Sequence, residues 1–582
     1  MILQDTEIQT LARLLAPHMD KPAWPGLTDP EVKEAARAFA KKSGLWDKIA
    51  AEFDPRRDIP TLKRSAFRQY KRRGSRVEGE AANAARSGEM GRAALALWLE
   101  HPKADLDYLQ DLIWAWCETT WWQLAAHEGE HIDLVSSARA RELAEYSFIF
   151  ASQLEPEVRD RISREVAARA LDIALDYKYA DWWQTTGNNW NMVCNANLIA
   201  AALYEIKDPG QLAAFIHPLC RRMDYAIDYF TDDGGCVEGA GYWEYGFINY
   251  VEAAISLYHR TGGAVNLMAG EKFSRISRFP MAAVLRPPIR ASFADGGHGY
   301  VAMGSALRIN QLLPFPELYQ LVESDNRGMP KIADIRSLAL YRGEMAEPYT
   351  DRTDYILPQL GYVKVHAAHS DILLATAAGS NGVSHNHNDI GTFILLKNGV
   401  PILTDPASPT YSAKTFGPHR YDMLVCRSKG HSVPIINGYE QQEGSQFYGT
   451  ITAEGLNGNG DKTVTIDLSH AYPDPTLRRF ERKFVIEASG VVRLCDEFEF
   501  QEMPSGIEEA FITFEPISLE AGNAKIGTES ASGKLHSETK GKFELATFLP
   551  ELHEGADSRP LHRLSFRPEV LGKQMRVEFT IR

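Results

Sequence analysis

The chain has 582 residues, 44% of them hydrophobic and 24% charged, with a formal net charge of -14. That length exceeds what one hydrophobic core organises, so two or three domains are expected. The acidic balance argues against a nucleic acid or an anionic membrane as partner, although an acidic substrate can still meet a local basic pocket.

Six cysteines, Cys117, Cys194, Cys220, Cys236, Cys426 and Cys495, are scattered without a CxxC pair. This suits free thiols in a reducing compartment. The start, MILQDTEIQTLARLLAPHMD, has acidic residues where a secretory signal has a basic start and an unbroken apolar run, and no segment reaches ~18 consecutive apolar residues. The expectation is a cytoplasmic protein, or a periplasmic or secreted one if a signal has been removed.

From about residue 28 to about 325 apolar positions recur every three or four residues, as in EVKEAARAFAKK, RAALALWLE, LVSSARARELAEYSFIFASQL and REVAARALDIALDYKYADWW, which predicts a helical array. All eleven tryptophans precede residue 244, so this half carries either a tryptophan-rich core or aromatic platforms for sugar rings. Residues 326 to 350 read as a linker. Beyond it, GYVKVHAAHSDILLATAAG, GTFILLKNGVPILTD, YGTITAEG, KTVTIDLSHA, FERKFVIEASGVVRLCDEFEF and MRVEFTIR read as strands. Asn398-Gly399 is a two-residue hairpin signal, and Gly458 to Asp461 a second turn. The predicted fold class is therefore α+β and multidomain, with a helical domain over 1–335 and an antiparallel β-sandwich over 350–582.

Three motifs carry chemistry. In TTGNNWNMVCNANLIAAALYE, four asparagines (Asn188, Asn189, Asn191, Asn195) stand at the entrance of an apolar helix where capping needs only one. Neutral amides donate hydrogen bonds to a carboxylate without burying a charge; the bland alternative is an N-cap and a polar loop. In DDGGCVEGAGYWEYGFINYVEA, glycines precede a helix carrying Tyr242 and Tyr245, three apart and hence on one face, with Glu238 and Glu244 nearby. Tyrosines so spaced often only pack, but one of lowered pKa can act as acid or base.

The third motif, SHNHND, sets His385, His387 and Asp389 within five residues, and Asp405 in LTDP and His431 in KGHSV add donors of the type Zn²⁺ prefers. If 384–389 were extended, the hairpin would place Asp405 opposite Thr392, roughly 17 Å along the strand from His387 at ~3.4 Å per residue. For one ion to be shared, the segment through Gly391 has to turn back over the hairpin end. A surface histidine run is the alternative. Asp295-Gly-Gly-His298 reads as a connecting turn, with His298 a candidate cleft residue.

These motifs, in this order, resemble the heparinase II/III family of polysaccharide lyases over about residues 80 to 582, on GNNWN, EGAGYWEYG, SHNHND and DPASPTYS. The resemblance implies an incomplete (α/α) toroid followed by an antiparallel β-sandwich. It places Asn189 and His385 on a uronate carboxylate and Tyr242 or Tyr245 on the proton transfer. Asn188, Trp190, Glu238, His298 and Arg420 are the candidate substrate-binding residues. It implies a structural Zn²⁺ on His387, Asp405 and His431, with His385, Asp389 and His419 as substitute ligands. One departure stands out: many members have histidine directly after the asparagine, where this chain has Trp190, which bears on whether a separate second base exists and on which sugar epimers are accepted.

The implied reaction is β-elimination at the 4-position of a uronate in an acidic glycan, leaving an unsaturated sugar; the lack of a signal favours short oligosaccharides. The C5 proton becomes acidic once the carboxylate charge is neutralised. Rival readings are a toroid glycoside hydrolase using Glu238 and Asp295 with water, and a carbohydrate-binding homologue without catalysis. A homodimer remains compatible with the sequence.

Overall fold

The computed structural model describes residues 7–520, 522–528, 531–550, 552 and 559–582. Two compact units emerge, and the chain crosses between them more than once. One holds the chain up to Tyr229, Trp243–Ser274 and Val301–Pro348; the other holds Phe230–Tyr242, Arg275–Tyr300 and Tyr349–Arg582. The sequence predicts a single cut between 335 and 350. Instead, two segments from the expected helical span, 230–242 and 275–300, belong to the β unit, and each carries residues of the candidate motifs.

The first unit is built from helices, among them Val77–Trp98, Leu106–Glu118, Leu134–Ile149, Asn189–Glu205, Pro209–Tyr229 and Ile248–Arg260. Helix Leu134–Ile149 opens with a capping box in which Asp133 accepts from the Ser136 N–H at 2.7 Å and the Ser136 hydroxyl accepts from the Asp133 N–H at 2.8 Å. Helix Asn189–Glu205 is buried from Asn191 through Tyr204, as an apolar helix enclosed by others should be. It packs on Leu134–Ile149, Pro209–Tyr229 and Ile248–Arg260.

The run at 164–183 departs from one continuous helix. Its α-helix ends at Val166, a π-turn spans Ala167–Leu171, and the last turn stops at Ala174. There Asp176 accepts from the Lys178 N–H at 2.9 Å, a local bond that competes with helix continuation. Most tryptophans are core: Trp24, Trp98, Trp116, Trp122, Trp183 and Trp243 are fully buried.

The second unit contains a five-stranded antiparallel sheet (Tyr355–Leu357, Tyr362–His366, Ile372–Ala377, Phe393–Lys397, Val400–Leu403) and a nine-stranded one that includes Gly444–Glu454, Lys462–His470, Leu477–Ile486, Val492–Phe500 and Gln574–Ile581. Side chains alternate along Lys462–His470 and Leu477–Ile486, and the inward set (Val464, Ile466, Leu468, Phe480, Phe484, Ile486) shares one core with Val363, Val365, Leu374, Phe393 and Leu395 of the smaller sheet. The opposite face of the smaller sheet is covered as well. Tyr362, Leu373, Ala375, Ile394 and Leu396 pack on Ala282, Leu285 and Ala291, so the strands are buried on both faces and read as continuous apolar runs. This cover is the physical reason that 275–300 joins the β unit.

Both turn expectations hold. Asn398 (φ 52°) and Gly399 (φ 75°) are left-handed at the tip of the Phe393–Lys397/Val400–Leu403 hairpin, and residues 455–461 link Gly444–Glu454 to Lys462–His470.

Candidate active site and metal cluster

In the β unit two glycine-bearing loops meet. Gly239 (φ +93°) lies so close to the turn at 293–296 that an added Cβ would stand 3.3 Å from Gly296 Cα and from the Phe293 carbonyl. Only glycine permits that approach in that conformation. The contact sets Tyr242, just beyond Gly239, beside Asp295, just beyond Ala294 (φ 58°).

Asp295 is the hub of the site. Its Oδ2 accepts from His385 Nδ1 at 2.7 Å and from the Tyr411 hydroxyl at 3.1 Å. Its Oδ1 accepts from His387 Nε2 at 3.0 Å and from Arg420 Nη2 at 3.0 Å. Burial alone would raise this carboxyl, but the two histidine hydrogen bonds, His387 and the Arg420 charge hold it far below the usual carboxylate range. The Tyr242 hydroxyl hydrogen-bonds the Tyr411 hydroxyl, and the Tyr242 ring stacks on His385 with centroids 4.0 Å apart and 27° between planes. Burial, then the neighbouring Tyr411 and Asp295, push the Tyr242 phenol well above its ordinary value.

Residues 384–389 are a turn, and the common face expected from an extended segment does not form. His385 takes a left-handed conformation (φ 61°), costly for a non-glycine residue and held here by its bond to Asp295. The chain then reverses through Gly391 (φ +94°), with the Thr392 N–H donating to the Asp389 carbonyl at 2.8 Å. That reversal brings one ligand atom each of His387, Asp389, Asp405 and His431 within 4.8 Å of one another. His431 Nδ1 lies 2.8 Å from Asp405 Oδ2 and 3.5 Å from Asp389 Oδ2, while its Nε2 donates to the Val425 carbonyl at 2.9 Å. Two buried atoms in the group, His387 Nδ1 and Asp389 Oδ2, have no hydrogen-bond partner. Two imidazoles and two carboxylates with unused lone pairs fit a tetrahedral Zn²⁺ site. Of the three substitute ligands, Asp389 joins the cluster; His385 bonds Asp295, and His419 bonds Asp422 at 2.8 Å on the surface.

The helical unit carries the other expected residues. Asn188 caps helix Asn189–Glu205, accepting from the Trp190 N–H at 3.1 Å. Asn189 is 2% exposed. Asn191 and Asn195 are fully buried and bond backbone carbonyls, so part of the asparagine excess is helix-start architecture. Tyr245 lies in a π-turn, Trp243–Phe247, wound more widely than the α-helix from which a face shared with Tyr242 is expected. Gly246 lets this turn press on Asn189, since an added Cβ would stand 3.1 Å from Asn189 Cβ. Trp190 lies between His127 (4.5 Å) and the half-exposed Trp182 (5.2 Å), and His127 Nδ1 is fixed by buried Asp133 at 2.7 Å.

Of the remaining expected residues, Glu238 is buried at 3% exposure and His298 is exposed in the loop after Asp295. Arg420, expected around the substrate, commits each guanidinium nitrogen to the protein: Asn386 and Thr415 carbonyls and Asp295. Sequence reasoning passed over Tyr411, although it lies in DPASPTYS, over Phe416, whose ring stands edge-on to His385 with centroids 5.9 Å apart, and over His127 and Asp133. Asp295 was read mainly as a turn; its signal was the glycine pair that comes after it.

No family model matches the chain, and no curated protein matches it in sequence. Solved structures do. A heparinase III crystal structure superposes with a TM-score of 0.65 at 13% identity, over 96% of this chain and 92% of that one. A second heparinase III gives 0.59 at 12% identity, covering 98% and 92%. A mutant heparan sulfate lyase from Pedobacter heparinus gives 0.56 at 12%, covering 96% and 92%. At these identities the likeness establishes the fold, and this chain is built on the heparinase III architecture of a helical toroid followed by antiparallel β-sheets.

Proposed function

We propose that the protein is a polysaccharide or oligosaccharide lyase that cleaves at the 4-position of a uronate by β-elimination. The observation that carries this reading is the stack of Tyr242 on His385, each tied through hydrogen bonds to Asp295. It sets a phenolic oxygen beside an imidazole whose Nδ1 is already engaged, leaving Nε2 for a ligand. As an imidazolium, His385 donates from Nε2 to the uronate carboxylate; Asn189 of the helical unit is the neutral amide donor that the family resemblance implies. Together they stabilise the enediolate that forms as the C5 proton leaves. Tyr242 takes that proton as tyrosinate and, now a phenol, gives it to the departing O4. Because the resting phenol is held above its ordinary pKa, forming the tyrosinate is a cost that rising pH reduces.

Zn²⁺ in the cluster would be held by His387, Asp405, His431 and Asp389 and would tie loops of the β unit together, a folding contribution. The hydrolase reading is disfavoured at Asp295: as general acid it would need a raised pKa, and as base or nucleophile a free oxygen, whereas this carboxyl is held low and each of its oxygens already accepts from two donors.

Mass spectrometry of products from a panel of uronate oligosaccharides tests the proposal. Elimination gives fragments whose masses sum to that of the substrate. Fragments summing to substrate plus one water refute it.

A further inference from the structure

The Asp295 carboxylate meets four donors from four residues, two on each oxygen, and its side chain is wholly buried. An ionised carboxylate only accepts, so each ring nitrogen facing it carries the hydrogen. On the Oδ2 side this makes Nδ1 of His385 the protonated nitrogen. On the Oδ1 side it makes Nε2 of His387 the protonated nitrogen, which leaves the His387 Nδ1 lone pair buried and unpartnered in a residue that belongs to the group with His431, Asp389 and Asp405. One carboxylate therefore sets two histidines, and the two belong to different tasks.

We infer that Asp295 is a positioning residue that couples the cation cluster to the reacting groups, holding a hydrogen on His385 Nδ1 so that its Nε2 is turned to substrate, and a hydrogen on His387 Nε2 so that its Nδ1 is left for metal. The kinetic part rests on the lyase reading; the tautomers and the metal affinity do not. A residue that merely neutralised Arg420 in the interior would need only the Oδ1 side. Here the Oδ2 side holds His385 and Tyr411, and through Tyr411 the Tyr242 hydroxyl. Arg420 in turn reaches the Asn386 carbonyl at 3.1 Å, between the two histidines, so it braces the same turn.

Asp295→Asn keeps the shape but supplies one acceptor and one donor. With its oxygen kept toward Arg420, the amide N–H₂ faces His385 and Tyr411 and demands an acceptor there, which reverses the His385 tautomer. Loss of the orienting charge in an Asp–His pair lowers kcat on the order of 10³ to 10⁴ with intact geometry, and removing a carboxylate behind a metal-ligating histidine weakens metal binding about 10- to 100-fold.

Nitrogen-15 NMR of the histidine rings in the metal-free full chain is the primary test. Wild type is expected to show Nδ1–H on His385 and Nε2–H on His387; the opposite tautomer at either ring overturns the inference, whether or not any variant folds. In Asp295→Asn the expected results are a changed His385 signal, Zn²⁺ affinity reduced at least tenfold by competition with a chelator, and kcat reduced at least 10³-fold with KM within a few-fold. A folded Asp295→Asn protein with wild-type tautomers and Zn²⁺ affinity shows a purely structural carboxylate and refutes the coupling. If no uronate glycan is turned over by wild type, the lyase reading fails while the NMR and Zn²⁺ results still decide the role of Asp295.

Discussion

Tyr242 and His385 lie face to face, their ring centroids 4.0 Å apart, although 142 residues of chain lie between them. Removing the Tyr242 hydroxyl keeps that stack and deletes the group proposed to move a proton, together with its bond to Tyr411. Tyr242→Phe is expected to abolish turnover while the substrate Kd changes little, and Tyr245→Phe to be milder. The reverse ranking in kcat would transfer the proton step to Tyr245. The raised Tyr242 pKa also sets a sign: less tyrosinate exists at neutral pH, so kcat/KM should climb as pH rises. A flat profile would contradict a tyrosinate base.

Asn189→Ala and His385→Ala each remove a proposed donor to the enediolate, and each is expected to lower kcat by about 10² or more. Both proteins should stay folded by circular dichroism. Near wild-type kcat in either variant would move carboxylate neutralisation to other residues.

The two halves of the candidate site were unequally legible. GNNWN, EGAGYWEYG and SHNHND pointed to Asn189, Tyr242 and His385, and the strand runs and the Asn398-Gly399 hairpin came from alternation and turn chemistry. Asp295 and Tyr411 were hidden because their meaning is tertiary. Nothing local distinguishes Asp-Gly-Gly in a connecting turn from Asp-Gly-Gly beneath a pair of histidines, and only the packing of Gly239 on Gly296 separates them. The division of Tyr242 from Tyr245 was hidden too, since a π-turn leaves no spacing signal that an α-helical reading would notice.

One Zn²⁺ per chain is expected by elemental analysis of protein purified without chelators. Chelation should lower Tm before turnover falls, because the four ligands tie loops together and have no proposed contact with substrate. Metal-free protein with unchanged Tm would remove the site. Turnover that needs metal at constant Tm would place the ion in the mechanism.

Acid stability has a distinct anchor. Asp354 accepts from the His366 N–H at 2.7 Å and the Asn457 N–H at 2.6 Å and pairs with Lys462 at 2.6 Å. Burial opposes the shift, but the bonds from His366 and Lys462 bring the carboxyl down to about 2. A depressed carboxyl stabilises the fold above its unfolded pKa, and that stability is lost as pH falls from about 4 toward 2. The contribution is roughly 2 kcal/mol. Asp354→Asn should lower urea stability at pH 7 by about that amount and flatten its fall below pH 4. An unchanged acid limb would show that Asp354 is not the anchor.

Whether Tyr242 carries an elimination can be read from the ultraviolet absorbance of wild type and Tyr242→Phe incubated with a panel of uronate-containing oligosaccharides. Elimination creates a double bond conjugated to the carboxylate, so absorbance should grow with wild type on at least one substrate and stay at baseline with the variant. Cleavage without that absorbance, or equal absorbance from the variant, would contradict an elimination carried by Tyr242.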